Sequence, residues 1–144
     1  MLQRTITLNP GRAVPTRLRR LFLAGSALTL VLGCPANAED LPTGGTVAAG
    51  DATISQSGSK MVINQSTNKA VINWNTFDIA SGASVNYVLP DSGSITLNRV
   101  TSDDASKIFG SLTSNGQIFL LNPRGIVFGV GSRINAAGIV ASTL

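Results

Sequence analysis

From Thr46 onward the apolar residues fall in short pieces bounded by Gly, Asn, Asp, Ser or Pro. Val47-Ala48, Met61-Val-Ile63, Val71-Ile-Asn-Trp74, Val85-Asn-Tyr87-Val, Ile95-Thr-Leu97, Ile118-Phe-Leu-Leu121, Ile126-Val-Phe128 and Ile139-Val140 are rich in β-branched and aromatic types. Such side chains suit a pleated surface, and the flanking residues suit turns. No window sustains a helical apolar period, so an all-β chain is predicted. One stretch stays open. Thr101-Ser-Asp-Asp104 before Ala105-Ser-Lys-Ile-Phe109 has capping-box spacing and reads either as a short helix start or as a polar loop.

A loose repeat runs through these pieces: Gly58-Ser-Lys-Met-Val-Ile-Asn64, Gly82-Ala-Ser-Val-Asn86, Gly93-Ser-Ile-Thr-Leu-Asn98 and Gly131-Ser-Arg-Ile-Asn135. Each reads Gly, small, variable, aliphatic, Asn. A β-solenoid produces this pattern, because short strands turn at Gly or Asn corners and stack on the next coil, with coils of about 20–25 residues. An antiparallel sandwich is the competing architecture, favoured by the hairpin-like Ser114-Asn115-Gly116-Gln117.

The first forty residues follow a different pattern. Arg4, Arg12, Arg17, Arg19 and Arg20 precede the apolar run Leu21–Leu32, and Gly33, Cys34 and Pro35 lead to Ala36-Asn37-Ala38. A basic start, an apolar core and a small-residue cleavage site form a secretory signal peptide over 1–38, with Ala36 and Ala38 offered to the peptidase. The apolar core is too short for a membrane span, which needs about 20 residues. Cleavage leaves a product beginning at Glu39. Val31-Leu-Gly-Cys34 is also similar to a lipobox, so a chain anchored through acylated Cys34 is an alternative, and Arg19-Arg20 gives a weaker likeness to a twin-arginine signal.

Charge then changes the picture. The chain carries 11 Lys and Arg against 7 Asp and Glu, with no His. The excess lies in the signal; from Glu39 onward there are six basic residues against seven acids, a net of −1. That part cannot supply the dense cationic surface nucleic acid requires, so no nucleic-acid partner is expected. Near neutrality also favours recognition through backbone edges and polar strand faces over charge. Cleavage would remove the one Cys, so no disulfide can form. Absence of His takes away the commonest general base and metal ligand. Asp103-Asp104 is an adjacent acidic pair, and neighbours on a strand point to opposite faces. Asp51, Asp78, Asp91 and Asp103 are too scattered for the carboxylate cluster of a β-helical polysaccharide lyase, the remaining enzyme reading. No catalytic residue, metal site or cofactor is assigned, and the chain is read as a non-enzyme. Asn64-Gln-Ser66 matches a glycosylation sequon and is read as a chance match.

The most distinctive segment is Gly116-Gln-Ile-Phe-Leu-Leu-Asn122-Pro123-Arg124-Gly125-Ile126. Asn122 can accept a backbone N–H, Pro123 presets φ, and Gly125 suits the fourth position of a type I turn between two strands. Together with Ile72-Asn-Trp-Asn-Thr-Phe77-Asp-Ile79, Asn98-Arg99-Val100-Thr101, Ile108-Phe-Gly110-Ser-Leu112 and Ala141-Ser-Thr143, this run resembles the filamentous-haemagglutinin N-terminal domain, the secretion domain of two-partner-secretion exoproteins.

The resemblance covers the chain from about Gly44 to its end, and the domain is read as residues 39–144. It implies a right-handed parallel β-helix with short capping strands or a hairpin. It also implies recognition by the periplasmic POTRA domains of a dedicated outer-membrane β-barrel transporter, and folding that nucleates a β-helix outside the cell. The product would be secreted or held at the cell surface after passing the periplasm. The family's Asn-Pro-Asn-Gly turn appears as Asn122-Pro123-Arg124-Gly125, with its third residue changed, and the Asn-Pro-Asn-Leu motif of some members is absent. Asn122, Pro123 and Gly125 are the expected turn and transporter-recognition residues; Asn73, Trp74, Asn75 and Phe77 are further candidates for partner contact. The chain stops at Leu144 inside the family pattern, so a longer exoprotein is expected, whose remaining C-terminal region would carry any binding of host-cell or surface ligands.

Overall fold

The computed structural model describes residues 41–144, so the expected signal peptide, with Cys34, Ala36 and Ala38, lies outside the described residues. Twelve strands and no helix occur among them: β1 (Thr46–Ala49), β2 (Ala52–Ser57), β3 (Lys60–Gln65), β4 (Lys69–Trp74), β5 (Ser84–Val88), β6 (Ile95–Val100), β7 (Ser106–Ile108), β8 (Ser111–Ser114), β9 (Gln117–Leu121), β10 (Ile126–Phe128), β11 (Arg133–Asn135) and β12 (Gly138–Ser142).

Successive strands turn onto successive faces of a three-sided coil. One sheet runs β1-β4-β6-β9-β12, a second runs β11-β8-β5-β3-β2, and β7 pairs with β10 on the third side. From β3 and β4 onward every pairing is parallel, so four coils stack into a β-solenoid. Lys60, Ser84, Ser111 and Arg133 are in register, which makes the coil advance 24, 27 and 22 residues. The sandwich reading is thereby overturned. Ser114 and Gln117 belong to strands in different sheets, and Asn115-Gly116 is a corner between them. Gly116 is there because a Cβ would meet Leu89 Cδ2 at 2.5 Å and the Ser94 carbonyl at 2.8 Å. The capping-box stretch divides: residues 101–105 are a corner, held by Thr101 Oγ1 donating to the Trp74 carbonyl at 3.0 Å, and Ser106–Ile108, read as helix or loop, is instead strand β7.

The glycine repeat marks one corner of the coil. Gly58, Gly82 and Gly131 precede β3, β5 and β11 of a single sheet, with φ of 58°, 91° and 93°. L side chains pay sterically in that region, and glycine does not. The fourth member, Gly93, leads instead into β6 of the other sheet, which is why the spacing looked irregular.

Alternation does the rest. In β3, β4, β5, β6 and β9 every second residue is buried, and the inward set meets in one core containing Met61, Ile63, Ile72, Trp74, Phe77, Ile79, Val85, Tyr87, Ile108, Leu112, Ile118 and Leu120. Each such aliphatic removed from water contributes about 1.5–3 kcal/mol. The parallel stack begins with two antiparallel strands. β1 pairs with β4, and β2 pairs with β3 across the Gly58-Ser59 turn, so both sheets are paired at the first coil. β2 had no clear apolar run and was not predicted. At the other end, Ile139 and Phe128, in register with the fully buried Ile118 and Ile108, are themselves 37% and 43% exposed.

Candidate functional site

The Asn122–Gly125 segment joins β9 to β10 at a corner of the third coil. Gly125 N–H donates to the Asn122 carbonyl at 3.0 Å, closing the four-residue turn that the residue types predict. Asn122 Oδ1 accepts from Arg124 N–H at 2.8 Å, while Nδ2 donates to the Asp104 carbonyl at 3.0 Å and to Ser106 Oγ at 2.9 Å. Its side chain is thus a bolt between the third coil and the second. Asn122 is fully buried, so it shapes the surface rather than forming it, whereas Pro123 and Arg124 are exposed. Arg124 reaches Asp103 at 2.9 Å in an exposed ion pair of the kind that contributes little.

The other four candidates divide by strand alternation. Trp74 and Phe77 point inward, are 1% exposed, and pack edge to face with ring centroids 5.5 Å apart. As contacts for a partner they are corrected: in the folded domain both rings are core. Asn75 is exposed and lies against Gly44, whose Cβ would collide with the Asn75 side chain. Asn73 faces outward on β4 beside Arg99 of β6, and Arg99 in turn lies beside Leu121 of β9. Arg99 Nε donates to Asn73 Oδ1 at 3.1 Å.

Two sets of residues distant in sequence thus share one place. Asn73, Arg99, Val100, Thr101, Leu121 and Pro123, together with Leu144, line a groove of about 250 Å³. Arg99 was missed in the sequence; only its register with Asn73, a long-range fact, reveals it. Beneath the groove lies a buried polar group that sequence reading also missed. Asn98 Oδ1 accepts from Trp74 Nε1 at 2.9 Å and from Tyr87 Oη at 2.7 Å, and Asn98 Nδ2 donates to the Phe119 carbonyl at 3.3 Å. Burial pushes the Tyr87 hydroxyl far above its ordinary range, so it remains a donor. No group of three or more His, Cys, Asp or Glu that could hold a metal occurs among the described residues.

The groove thus lies on a parallel solenoid beside the Asn-Pro-x-Gly corner. Residues 38–144 match the model of the TPS secretion domain. The chain belongs to the TPS secretion-domain family. It is similar to the crystal structure of the HMW1 secretion domain from Haemophilus influenzae, with 42% identity and a TM-score of 0.69, covering 72% of this chain and 27% of that one. It is also 44% identical over 108 residues to a heme/hemopexin-binding protein of Haemophilus influenzae, and 38% identical over 109 residues to a second of that name. Each alignment covers 75% of this chain and 12% of the relative, so the chain spans about an eighth of their length. The likeness to these exoproteins is a likeness of secretion domains.

Proposed function

We propose that this chain is the N-terminal targeting domain of a two-partner-secretion exoprotein, engaged in the periplasm by the POTRA domains of a cognate outer-membrane transporter. The observation carrying this reading is the family match across residues 38–144, joined to a solenoid whose first coil is closed by its own antiparallel strands. Signal cleavage after Ala38 delivers the domain to the periplasm; after passage the capped coil nucleates growth of the β-helix outside. The product is secreted or stays at the cell surface, and the domain works by being recognised and by folding, with no catalysis of its own. Ligands of host cells or of heme type belong to whatever region follows the secretion domain in the full exoprotein. The relatives' names describe proteins of which this chain matches 12%.

The test is co-expression of the full chain with and without its transporter. Release into the medium should require the transporter, and N-terminal sequencing of released material should begin at Glu39. Equal release in both strains would end the proposal. A product beginning at acylated Cys34 would support the lipid-anchored alternative.

A further inference from the structure

The charged residues of this domain are sorted by position. None of the twelve strands contains an Asp or Glu, and the acids of the described residues all lie in turns and corners: Asp51, Asp78, Asp91, Asp103 and Asp104. The strands carry Lys60, Lys69, Arg99, Lys107 and Arg133. On the sheet that holds the groove, the cations are Lys69 and Arg99, with no acid on any of its five strands. Among the described residues the one ion pair is that of Arg124 with Asp103, and no described carboxylate pairs with Arg99. Its Nε is engaged by Asn73, which fixes the guanidinium plane and leaves both terminal nitrogens for an acceptor. A held guanidinium presents the two-pronged geometry that matches a carboxylate.

Beside Arg99 the outward face is apolar. Val71, Leu97, Phe119 and Val140 stand in register, one per coil, and none is fully buried. Leu97 and Arg99 are two residues apart on β6, so they present an apolar and a cationic group about 7 Å apart along one face. The complementary ligand is an extended segment with an aliphatic or aromatic residue two positions from a carboxylate.

We propose that this groove receives such an acidic extended segment of the cognate transporter's periplasmic region, with Arg99 as the charge anchor and Asn73 as its positioning residue. The inference rests on the proposed two-partner function and adds to it the site and the chemistry of the contact. The net charge of the mature chain conceals this site, because the corner acids cancel the strand cations in the sum but do not occupy the same surface.

The experiment measures binding of the full-length exported chain and its variants to the transporter's purified periplasmic region, with export yield alongside. Arg99→Ala should weaken binding about 10-fold, Arg99→Lys by less, and Arg99→Glu by more, since reversal adds repulsion. Asn73→Ala should weaken the wild type about three-fold yet have no further effect in the Arg99→Ala background, a coupling that a purely structural role would not generate. An acid-to-Arg change in the transporter segment should restore binding of Arg99→Glu. Folding is monitored by Trp74 fluorescence; should Arg99→Glu lose the native signal, Arg99→Gln is judged by the same criterion as Arg99→Ala. Binding of the Arg99 variants within two-fold of wild type overturns the groove proposal and leaves the proposed function standing. Absence of any wild-type binding overturns both.

Discussion

Asn98 is where three coils meet through one side chain. Trp74 comes from the first coil, Tyr87 and Asn98 from the second, and the accepting carbonyl of Phe119 from the third. Trp74, Tyr87 and Asn98 sit at inward positions where alternation demands apolar filling, and a buried donor without an acceptor costs about 1–3 kcal/mol. Asn98→Leu keeps the volume but orphans both the indole N–H and the phenol O–H. Its urea midpoint, followed by the fluorescence of the sole tryptophan, should fall sharply with an unchanged slope. An unchanged midpoint would show that the two donors find other acceptors. Tyr87 offers a second measurement because it is the only tyrosine. Burial raises its folded-state pKa, so the stability it contributes is complete below about pH 10, where the unfolded phenol ionises, and drains away as pH rises beyond that. Tyrosinate absorbance should therefore appear only together with loss of the β-sheet circular dichroism. Ionisation within a folded chain would contradict the burial.

Corners, more than strands, decide how one coil sits on the next. Four are clamped by a polar side chain reaching the neighbouring coil's backbone: Gln65 Nε2 to the Ile95 carbonyl at 3.1 Å, Asn115 to both N–H and C=O of Leu89, Asn122 to the Asp104 carbonyl, and Asp78 Oδ1 to Lys107 N–H at 2.7 Å. Asn122→Ala should cost about 1–3 kcal/mol and reduce export, since it removes the turn's acceptor and two inter-coil bonds. Arg124→Ala removes an exposed pair and should leave both melting temperature and export near wild type. Equal losses from the two would place the role of the motif in its exposed residues. Glycines at equivalent corners differ in the same way. At Gly110 a Cβ would collide with the carbonyls of Ala83 and Ala80, whereas at Gly82 nothing lies within 4 Å. Gly110→Ala should cost about 2–3 kcal/mol through overpacking, and Gly82→Ala about 1 kcal/mol through its positive φ, as read by thermal melting.

For the molecule as a unit, the arrangement of charge matters more than its sum. Acids are sorted into corners and cations onto strands, so each five-stranded sheet carries two cations and no acid while acidic residues edge it at the turns. Net charge near zero predicts binding insensitive to salt; an exposed Arg99 anchor predicts a moderate dependence. Raising NaCl from about 50 to about 500 mM should weaken wild-type binding to the transporter several-fold, and the Arg99→Ala variant distinctly less, because screening acts on exposed pairs. Identical slopes for the two would show that Arg99 meets no opposite charge.

Most strands, the corner glycines and the Asn-Pro-x-Gly turn were legible in the sequence, because they depend on local alternation, on φ preferences and on a short motif. The parallel solenoid was one of two architectures the residues allowed and the one the family resemblance implied, and the short β7 and β8 were not read as strands. β2 escaped because Ala52-Thr-Ile-Ser-Gln-Ser57 is a polar edge strand with little to bury. The hairpin-like Asn115-Gly116 misled because a solenoid corner and a hairpin ask for the same residues. What only the tertiary structure decided was which face each residue serves. Trp74 and Phe77 turned into the core, Asn122 became a buried bolt, and Asn73 came beside Arg99 across 26 positions of chain. Register between coils sets those neighbours, and it is fixed by the summed packing of the core and by where every corner falls. No window of sequence shorter than a coil contains that information.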